Sequence, residues 1–341
     1  MINWVPNKEI NTQLVNEYLS LSLKNNQFTN GGPVVKLLEN KLKNILKIDD
    51  NKSVILTNSG TGALHALADG IQLCNKQKYK WTTQSFTFPP SAQGPFKNAH
   101  IIDIDNGGGL DISKIPKETT GIIVTNIFGN IVDIEKYITY CNKNNIILLF
   151  DNAATSYTFY NGKNSINYGD GSIISFHHTK PLGFGEGGAI IVDKKYEESI
   201  RCIMNFGING KSYFLRVGNN YKISDISAAY ILQYLDNFDK IVKKHIKLYN
   251  YMKKKLKNIE GIELYPNFSS ETPFLSCFCL LFDNYDDKIR LRLLDNNIFC
   301  RKYYNPLNKT ATTMEIFKKI LCVPCTKDMT EKDIDKIINL I

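Results

Sequence analysis

The sequence predicts an α/β fold, a large domain built on a mostly parallel mixed sheet, followed by a smaller C-terminal α+β domain. Three observations carry that prediction. Strand-like apolar runs alternate with helical stretches over the first two thirds of the chain, the runs are apolar on both faces, and near Asp236 the texture shifts to a long Lys-rich helical stretch. With 341 residues the chain has the length of about two ordinary domains. We set the boundary at 238/239, with residues 1–238 as the large domain, including an N-terminal arm, and 239–341 as the small one.

Ser53-Val-Ile-Leu-Thr57 reads as the first strand and Gly62–Leu73 as the helix after it. Further strands are read at His100–Ile104, Gly121–Thr125, Ile146–Phe150, Gly171–Phe176 and Ala189–Val192, with Ile131–Asn142 a helix between two of them. Lys240–Asn258 is the long helix of the C-terminal part, and Gly261–Tyr265 and Cys277–Phe282 supply its β component. The run Lys253-Lys-Lys255 on that helix reads as a solvated face.

Composition narrows the function. Apolar residues at 43% and charged residues at 22% exclude wholesale disorder and fibrous architectures. A net charge of +9, from 42 Lys and Arg against 33 Asp and Glu, suits an anionic partner. The basic residues are spread along the chain rather than concentrated with aromatics, so no nucleic-acid partner is expected. Eight scattered cysteines behind an N-terminus without an apolar leader, MINWVPNKEI, lead us to expect reduced thiols and a cytoplasmic location. Apolar runs fall far short of the roughly 20 residues that cross a bilayer, and no membrane partner is expected.

Four segments at strand ends carry the chemistry, since open α/β sheets bind ligands there. Asn58-Ser-Gly-Thr-Gly62 joins a strand to a helix N-terminus, and reads either as a phosphate seat or as a plain turn with its N-cap. Asp151 follows a buried apolar strand; it either pairs with a protonated heterocyclic nitrogen or caps the next turn. In Ser175-Phe-His-His-Thr-Lys-Pro-Leu-Gly-Phe-Gly-Glu-Gly-Gly188 a single lysine, Lys180, sits amid apolar and glycine residues. Desolvation would make it a nucleophile able to form a Schiff base; the bland alternative is a salt-bridged surface lysine. Gln84-Ser-Phe-Thr-Phe-Pro-Pro90 places Phe88 at the corner before a Pro-initiated helix, where it stacks on a planar ring or packs as core.

A phosphate seat, a stacking aromatic, an acid for a ring nitrogen and a Schiff-base lysine, in that order, describe a pyridoxal phosphate site. From about Thr29 to the C-terminus the sequence resembles the DegT/StrS-type sugar aminotransferases, which are fold-type I pyridoxal phosphate enzymes. Asp151 to Gly188 is the most specific stretch. The resemblance implies that Gly60 and Thr61 hold the cofactor phosphate through backbone N–H groups and Ser175 through its hydroxyl. It puts Phe88 against the cofactor ring, Asp151 on the ring nitrogen and Lys180 in the Schiff base. Gly218-Asn-Asn-Tyr-Lys-Ile-Ser-Asp225 resembles a family Gly-x-Asn-Tyr-Arg-x-Ser segment. That implies Asn220 reaches the phosphate of a neighbouring subunit, hence a homodimer with shared active sites. Lys222 and Tyr303 are expected substrate contacts, and His177 and His178 flank the lysine loop, where one of them, taken as His177, is expected to touch substrate.

Three departures from the family stand out. Ala154 occupies a position usually held by Gln or His, Lys222 replaces an Arg, and Arg301-Lys-Tyr-Tyr-Asn-Pro-Leu-Asn308 ends in Asn308 where a Tyr-x-Pro-Leu-His stretch ends in His. Phe28-Thr-Asn-Gly-Gly-Pro33 with Leu38-Glu39, and Gly162–Ser165, are similar to the branch that aminates C4 of a nucleotide-linked 4-keto-6-deoxyhexose. The resemblance therefore implies amino transfer from L-glutamate, through the pyridoxamine phosphate form, to a nucleotide-linked keto-sugar, with 2-oxoglutarate released. C3 amination is the rival within the family, and a non-catalytic regulator that binds cofactor or nucleotide sugar is the rival outside it. Dehydratases on this scaffold carry His where this chain has Lys180. Cys322-Val-Pro-Cys325 has redox spacing, though a strand position is expected for it; no histidine spacing suggests a metal.

Overall fold

Apolar runs that lack polar alternation need cover on both faces, and the chain provides it. The computed structural model describes residues 1–208, 215, 217–266 and 273–341. Its strands are β1 (Lys52–Thr57), β2 (Trp81–Gln84), β3 (His100–Ile102), β4 (Gly121–Thr125), β5 (Ile147–Asp151), the short pair β6 (Phe159–Tyr160) and β7 (Lys163–Asn164), β8 (Gly171–Ser175), β9 (Gly188–Asp193), β10 (Ile262–Leu264), β11 (Cys277–Phe282) and β12 (Ile320–Pro324). Seven of them form one sheet in the order β1-β9-β8-β5-β4-β2-β3. Pairing is parallel from β8 to β3, and β9 runs antiparallel to both β1 and β8. The sheet is the mostly parallel, mixed one expected, and the C-terminal ends of β1, β2, β4, β5 and β8 share one edge.

The helices are α1 (Thr12–Asn25), α2 (Pro33–Ile45), α3 (Gly60–Asn75), α4 (Ile134–Asn144), α5 (Glu197–Met204), α6 (Asp225–Tyr234), α7 (Phe238–Leu256), α8 (Asp287–Asp295), α9 (Ala311–Lys319) and α10 (Glu331–Ile338). Alternate strand residues face opposite sides. Val54, Leu56, Ile174 and Ile191 pack with Leu38 and Leu42 of α2 and Ile231 of α6. Their neighbours Ile55, Ile173, Ile190 and Val192 pack with Leu64 and Leu67 of α3 and Ile200 of α5. Each such side chain removed from water contributes about 1.5–3 kcal/mol, so both faces select apolar residues and periodicity vanishes.

A second sheet, β10-β11-β12, is antiparallel throughout. Leu248 and Met252 of α7 and Ile334 and Ile337 of α10 share its core. The N-terminal residues reach it, because Ile2 bridges Ile298 in parallel register. Among the described residues no helix is long and apolar enough to cross a membrane.

Local chemistry explains where the sequence reading shifts. Asp151 is the last residue of β5 rather than the first residue beyond it, and its carbonyl accepts from Asn126 N–H at 3.0 Å. The helix expected from Ile131 starts at Ile134, because the Asp133 side chain accepts from Lys136 N–H as N-cap. Pro89–Ala92 is a 3-10 turn and not a longer helix. Asp225 is fully buried, and accepts from the N–H groups of Val34 and Val35 and the Ser22 hydroxyl. It thereby caps α2 from a distant element, with Gly32 leaving room for it. The Gly-Gly-Pro33 segment and Glu39, which accepts from Leu56 N–H, thus hold α2 in place.

Candidate active site

The phosphate turn is assembled by strand register. Gly188, at the start of β9, pairs with Thr57 of β1 on one side and Ser175 of β8 on the other. The turn after β1 therefore lies beside the end of β8. The Ser59 hydroxyl accepts from Gly62 N–H at 2.9 Å and caps α3. Gly60 and Thr61, in the first helical turn, have N–H groups without intrahelical acceptors at the positive end of the helix dipole. A Cβ on Gly188 would stand 2.5 Å from Ser59 O and 2.7 Å from Gly60 N, and one on Gly60 would stand 3.0 Å from Ser175 Cβ. Only glycine permits this approach.

Lys180 lies in the connection from β8 to β9. That loop is braced internally by His178 N–H to Gly185 O at 2.8 Å, Lys180 N–H to His177 O at 2.8 Å and Gly183 N–H to Lys180 O at 3.0 Å. It is also held from outside. Lys8, on the N-terminal arm, donates its Nζ to the carbonyls of Lys180, at 2.7 Å, and Gly183, and lies 4.6 Å above the Tyr234 ring. The Tyr234 hydroxyl donates to Pro181 O. Burial, with Lys327 nearby, pushes the Lys8 ammonium down to about 7. Burial also lowers the pKa of Lys180 itself, against the opposing influence of Asp151 and Cys277. Its Nζ makes no hydrogen bond or ion pair among the described residues. The loop presents Lys180, partly buried, to a cavity.

Asp151 is buried, and accepts from Ala153 N–H at 3.0 Å and the Ser91 hydroxyl at 3.3 Å. Both donors are neutral. Burial raises its pKa, opposed by the Ala153 N–H, the charge of Lys180 and the Ser91 hydroxyl. A carboxylate so placed is short of a cationic partner.

Gly60, Thr61, Phe88, Asp151, Ser175, His177, Lys180 and Tyr303 line a single cavity of about 690 Å³. Phe88 is 57% exposed, at the corner before Pro89, and leaves much of its ring uncovered. His177 Nδ1 lies 2.8 Å from the Thr179 hydroxyl, and its Nε2 is 3.5 Å from Glu186. Ala154 is part of the wall. Asn220 and Lys222 line no part of this cavity. The Asn220 carbonyl accepts from Asn58 Nδ2, and Lys222 donates to Asn205 Oδ1 at 2.9 Å over the Phe206 ring.

Several wall residues escaped the sequence reading. Tyr304 stacks on Phe128 at 5.2 Å and 4° between planes, and burial raises its pKa well above the usual value. The motif resemblance contained that signal, since Tyr304-Asn-Pro-Leu307 fits Tyr-x-Pro-Leu better than Tyr303 does. Trp4, also in the wall, comes from an element distant in sequence that no local pattern marks, and Arg301 lines the wall from within the Arg301–Asn308 segment; Ser91 and Lys8 lie outside the wall, against Asp151 and the lysine loop. Cys322 and Cys325 are buried, Cys322 lies 3.5 Å from Cys279 and Cys325 3.6 Å from His245, and burial pushes both thiols well up, away from the thiolate that exchange needs. His65 packs edge-on to Phe96 with Nε2 3.2 Å from Pro90 O. Among the described residues no cluster could hold a metal.

The residues present fit pyridoxal phosphate. Asp151 would offer the buried counter-charge to a protonated ring nitrogen, Gly60, Thr61 and Ser175 line the cavity at a helix N-terminus with donors for a phosphate, and Phe88 has an open face. Comparison with known proteins agrees. The model of the DegT/DnrJ/EryC1/StrS aminotransferase family matches residues 9–341. The chain is 27% identical to a dTDP-4-amino-4,6-dideoxy-D-glucose transaminase of Shigella dysenteriae, across 95% of this chain and 94% of that one. It is likewise 27% identical to a UDP-4-amino-4,6-dideoxy-N-acetyl-beta-L-altrosamine transaminase of Campylobacter jejuni, across 92% and 90%. A solved PLP-dependent aminotransferase from Bacillus cereus superposes with a TM-score of 0.86 at 21% identity, covering 99% of both chains.

Proposed function

The chain belongs to the DegT/DnrJ/EryC1/StrS aminotransferase family, and from that premise we propose that it moves an amino group from L-glutamate to the 4-keto carbon of a nucleotide-linked 4-keto-6-deoxyhexose. The products are 2-oxoglutarate and a nucleotide-linked 4-amino-4,6-dideoxy sugar. It is a pyridoxal-phosphate-dependent aminotransferase. The choice of C4 is supported by two relatives named for 4-amino-4,6-dideoxy sugars. The observation that carries the reaction class is that Asp151 and Lys180, each perturbed by burial, line one cavity beside the phosphate cradle.

When bound, the cofactor supplies an aldehyde that captures amines and a ring that accepts electrons. Gly60 and Thr61 N–H groups with the Ser175 hydroxyl bind its phosphate, and Phe88 orients its ring. The carboxylate of Asp151 holds a proton on the ring nitrogen. Burial weakens the hold of Lys180 Nζ on its proton. Lys180 removes the α-proton of glutamate in the first half-reaction and delivers a proton to C4 of the sugar in the second. Phe88, Phe128 and Tyr304 wall the space around these transfers.

Incubation with L-glutamate and a panel of nucleotide-linked 4-keto-6-deoxyhexoses, read by NMR, tests the reading. An amine on C4 is the expected product. Amination at C3 would overturn the regiochemistry, and no amino sugar from any member would overturn the substrate class.

A further inference from the structure

Arg301 is the cavity's unaccounted charge. Two backbone bonds lock it to β12, Arg301 N–H to Cys322 O at 2.9 Å and Cys322 N–H to Arg301 O at 2.8 Å. Its guanidinium lies 4.9 Å over the Trp4 ring and 5.6 Å over the Tyr303 ring, which themselves meet edge to face at 5.7 Å. Trp4 is brought there by the pairing of Ile2 with Ile298, through Ile2 N–H to Asn297 O and Phe299 N–H to Ile2 O. All three side chains line the same cavity as Lys180 and Asp151.

A guanidinium has five donors, yet this one donates to a single side-chain oxygen, the Tyr303 hydroxyl, and has no carboxylate within 4 Å among the described residues. The other acidic residue of the wall, Glu186, lies beside His177. Two aromatic rings hold a cation in orientation without spending its in-plane donors, because their attraction acts through the ring faces. With Nη1 donating to Tyr303, the Nε–Nη2 edge stays free for a bidentate oxyanion.

We infer that Arg301, held by Trp4 and Tyr303, reads the oxyanion of the substrates that enter this cavity. The inference rests on the aminotransferase reading and deepens it. Oxyanion chemistry is common to the carboxylate of the amino donor and the diphosphate of a nucleotide sugar, and both visit one cavity in a two-stage transfer.

The test uses the holoenzyme and its Arg301→Gln and Arg301→Lys variants. Binding of glutarate and of dTDP, neither of which can react, is followed by calorimetry, beside the KM for each substrate, the melting temperature and the cofactor absorbance. Arg301→Gln is expected to weaken one probe and raise the matching KM by about 10- to 100-fold, with cofactor absorbance retained and Arg301→Lys intermediate. A loss confined to glutarate assigns the donor carboxylate, and one confined to dTDP assigns the diphosphate. If Arg301→Gln lowers the melting temperature but moves neither affinity, the residue is a tether for Trp4 and the inference fails. A wild-type enzyme that aminates no nucleotide sugar would instead strike the substrate reading, and the glutarate arm would still judge Arg301. Trp4→Ala, which leaves the guanidinium in place but unsupported, is expected to give a smaller loss on the same probe; an unchanged affinity would refute the aromatic clamp.

Discussion

At the scale of single residues the site depends on groups whose charge the fold has made costly. Lys180 is partly buried and has no hydrogen-bond acceptor among the described residues, and burial lowers its pKa. Lys180→Ala is expected to leave less than about a thousandth of the wild-type transamination rate, because nucleophile and proton carrier vanish together. Steady-state turnover near wild type would contradict the assignment. Lys8 acts one step further back, through its bonds to the carbonyls of Lys180 and Gly183. Lys8→Met keeps the length of the side chain and removes its donors. We expect kcat to fall about 10- to 100-fold through misplacement of Lys180, and amide exchange across residues 178–185 to accelerate. Unchanged exchange would show that the loop holds itself.

At the scale of elements, one carboxylate ties the large sheet to the helix before β12. Asp103 follows β3 and accepts from the N–H groups of Thr312 and Thr313, from the Thr310 hydroxyl at 2.7 Å and from Lys114 Nζ at 3.2 Å. Burial alone would raise its pKa, but these donors overcome burial and hold the carboxyl well below its ordinary range. The folded state therefore binds fewer protons here than the unfolded state does, so this contribution is complete above about pH 4 and fades as pH falls through the folded pKa. Asp103→Asn is expected to cost about 2–3 kcal/mol at pH 7, and to flatten the loss of stability below about pH 4 in urea unfolding series. Equal acid sensitivity in both proteins would place the charge elsewhere. The same contacts anchor Leu307, whose N–H donates to Ser85 O at 2.8 Å, and so hold Tyr303 and Tyr304 over the cavity.

At the scale of the whole molecule, the homodimer that the family resemblance implies would account for features that the single chain leaves over. Phe206, Ile208 and Val217 flank Asn220 and are 50%, 46% and 49% exposed, while Asn220 lines no part of its own chain's cavity. If Asn220 serves the partner's site, each active site needs residues from two chains. Lys180→Ala and Asn220→Asp proteins, each nearly inactive alone, are then expected to recover up to about a quarter of wild-type activity after mixing and subunit exchange, because half of the dimers are hybrids with one intact site. No recovery, with subunit exchange demonstrated by mass, would place both residues in one chain's site.

The sequence by itself determined the α/β class, most strands of the large sheet and the aminotransferase family. Strand cores such as Gly121–Thr125 and Cys277–Phe282 appear within their observed limits, because burial on both faces leaves an uninterrupted apolar run. Lys180, Asp151 and the Gly60 turn were legible because each breaks the local rule around it, a charge or a run of small residues at the end of a buried strand. Strand β2 and helices α1, α2, α5, α6, α8, α9 and α10 were not read. Trp81-Thr-Thr-Gln84 is buried yet largely polar, and α2 takes its N-cap from Asp225, far along the chain. Only the tertiary structure decided that Gly188 sets Ser175 against Gly60, that Lys8 grips the lysine loop, and that Trp4, Arg301 and Tyr304 complete the cavity. Those contacts join residues tens to hundreds of positions apart. A periodicity of two or 3.6 residues reports which face of an element is buried, whereas the identity of what covers that face is fixed by packing.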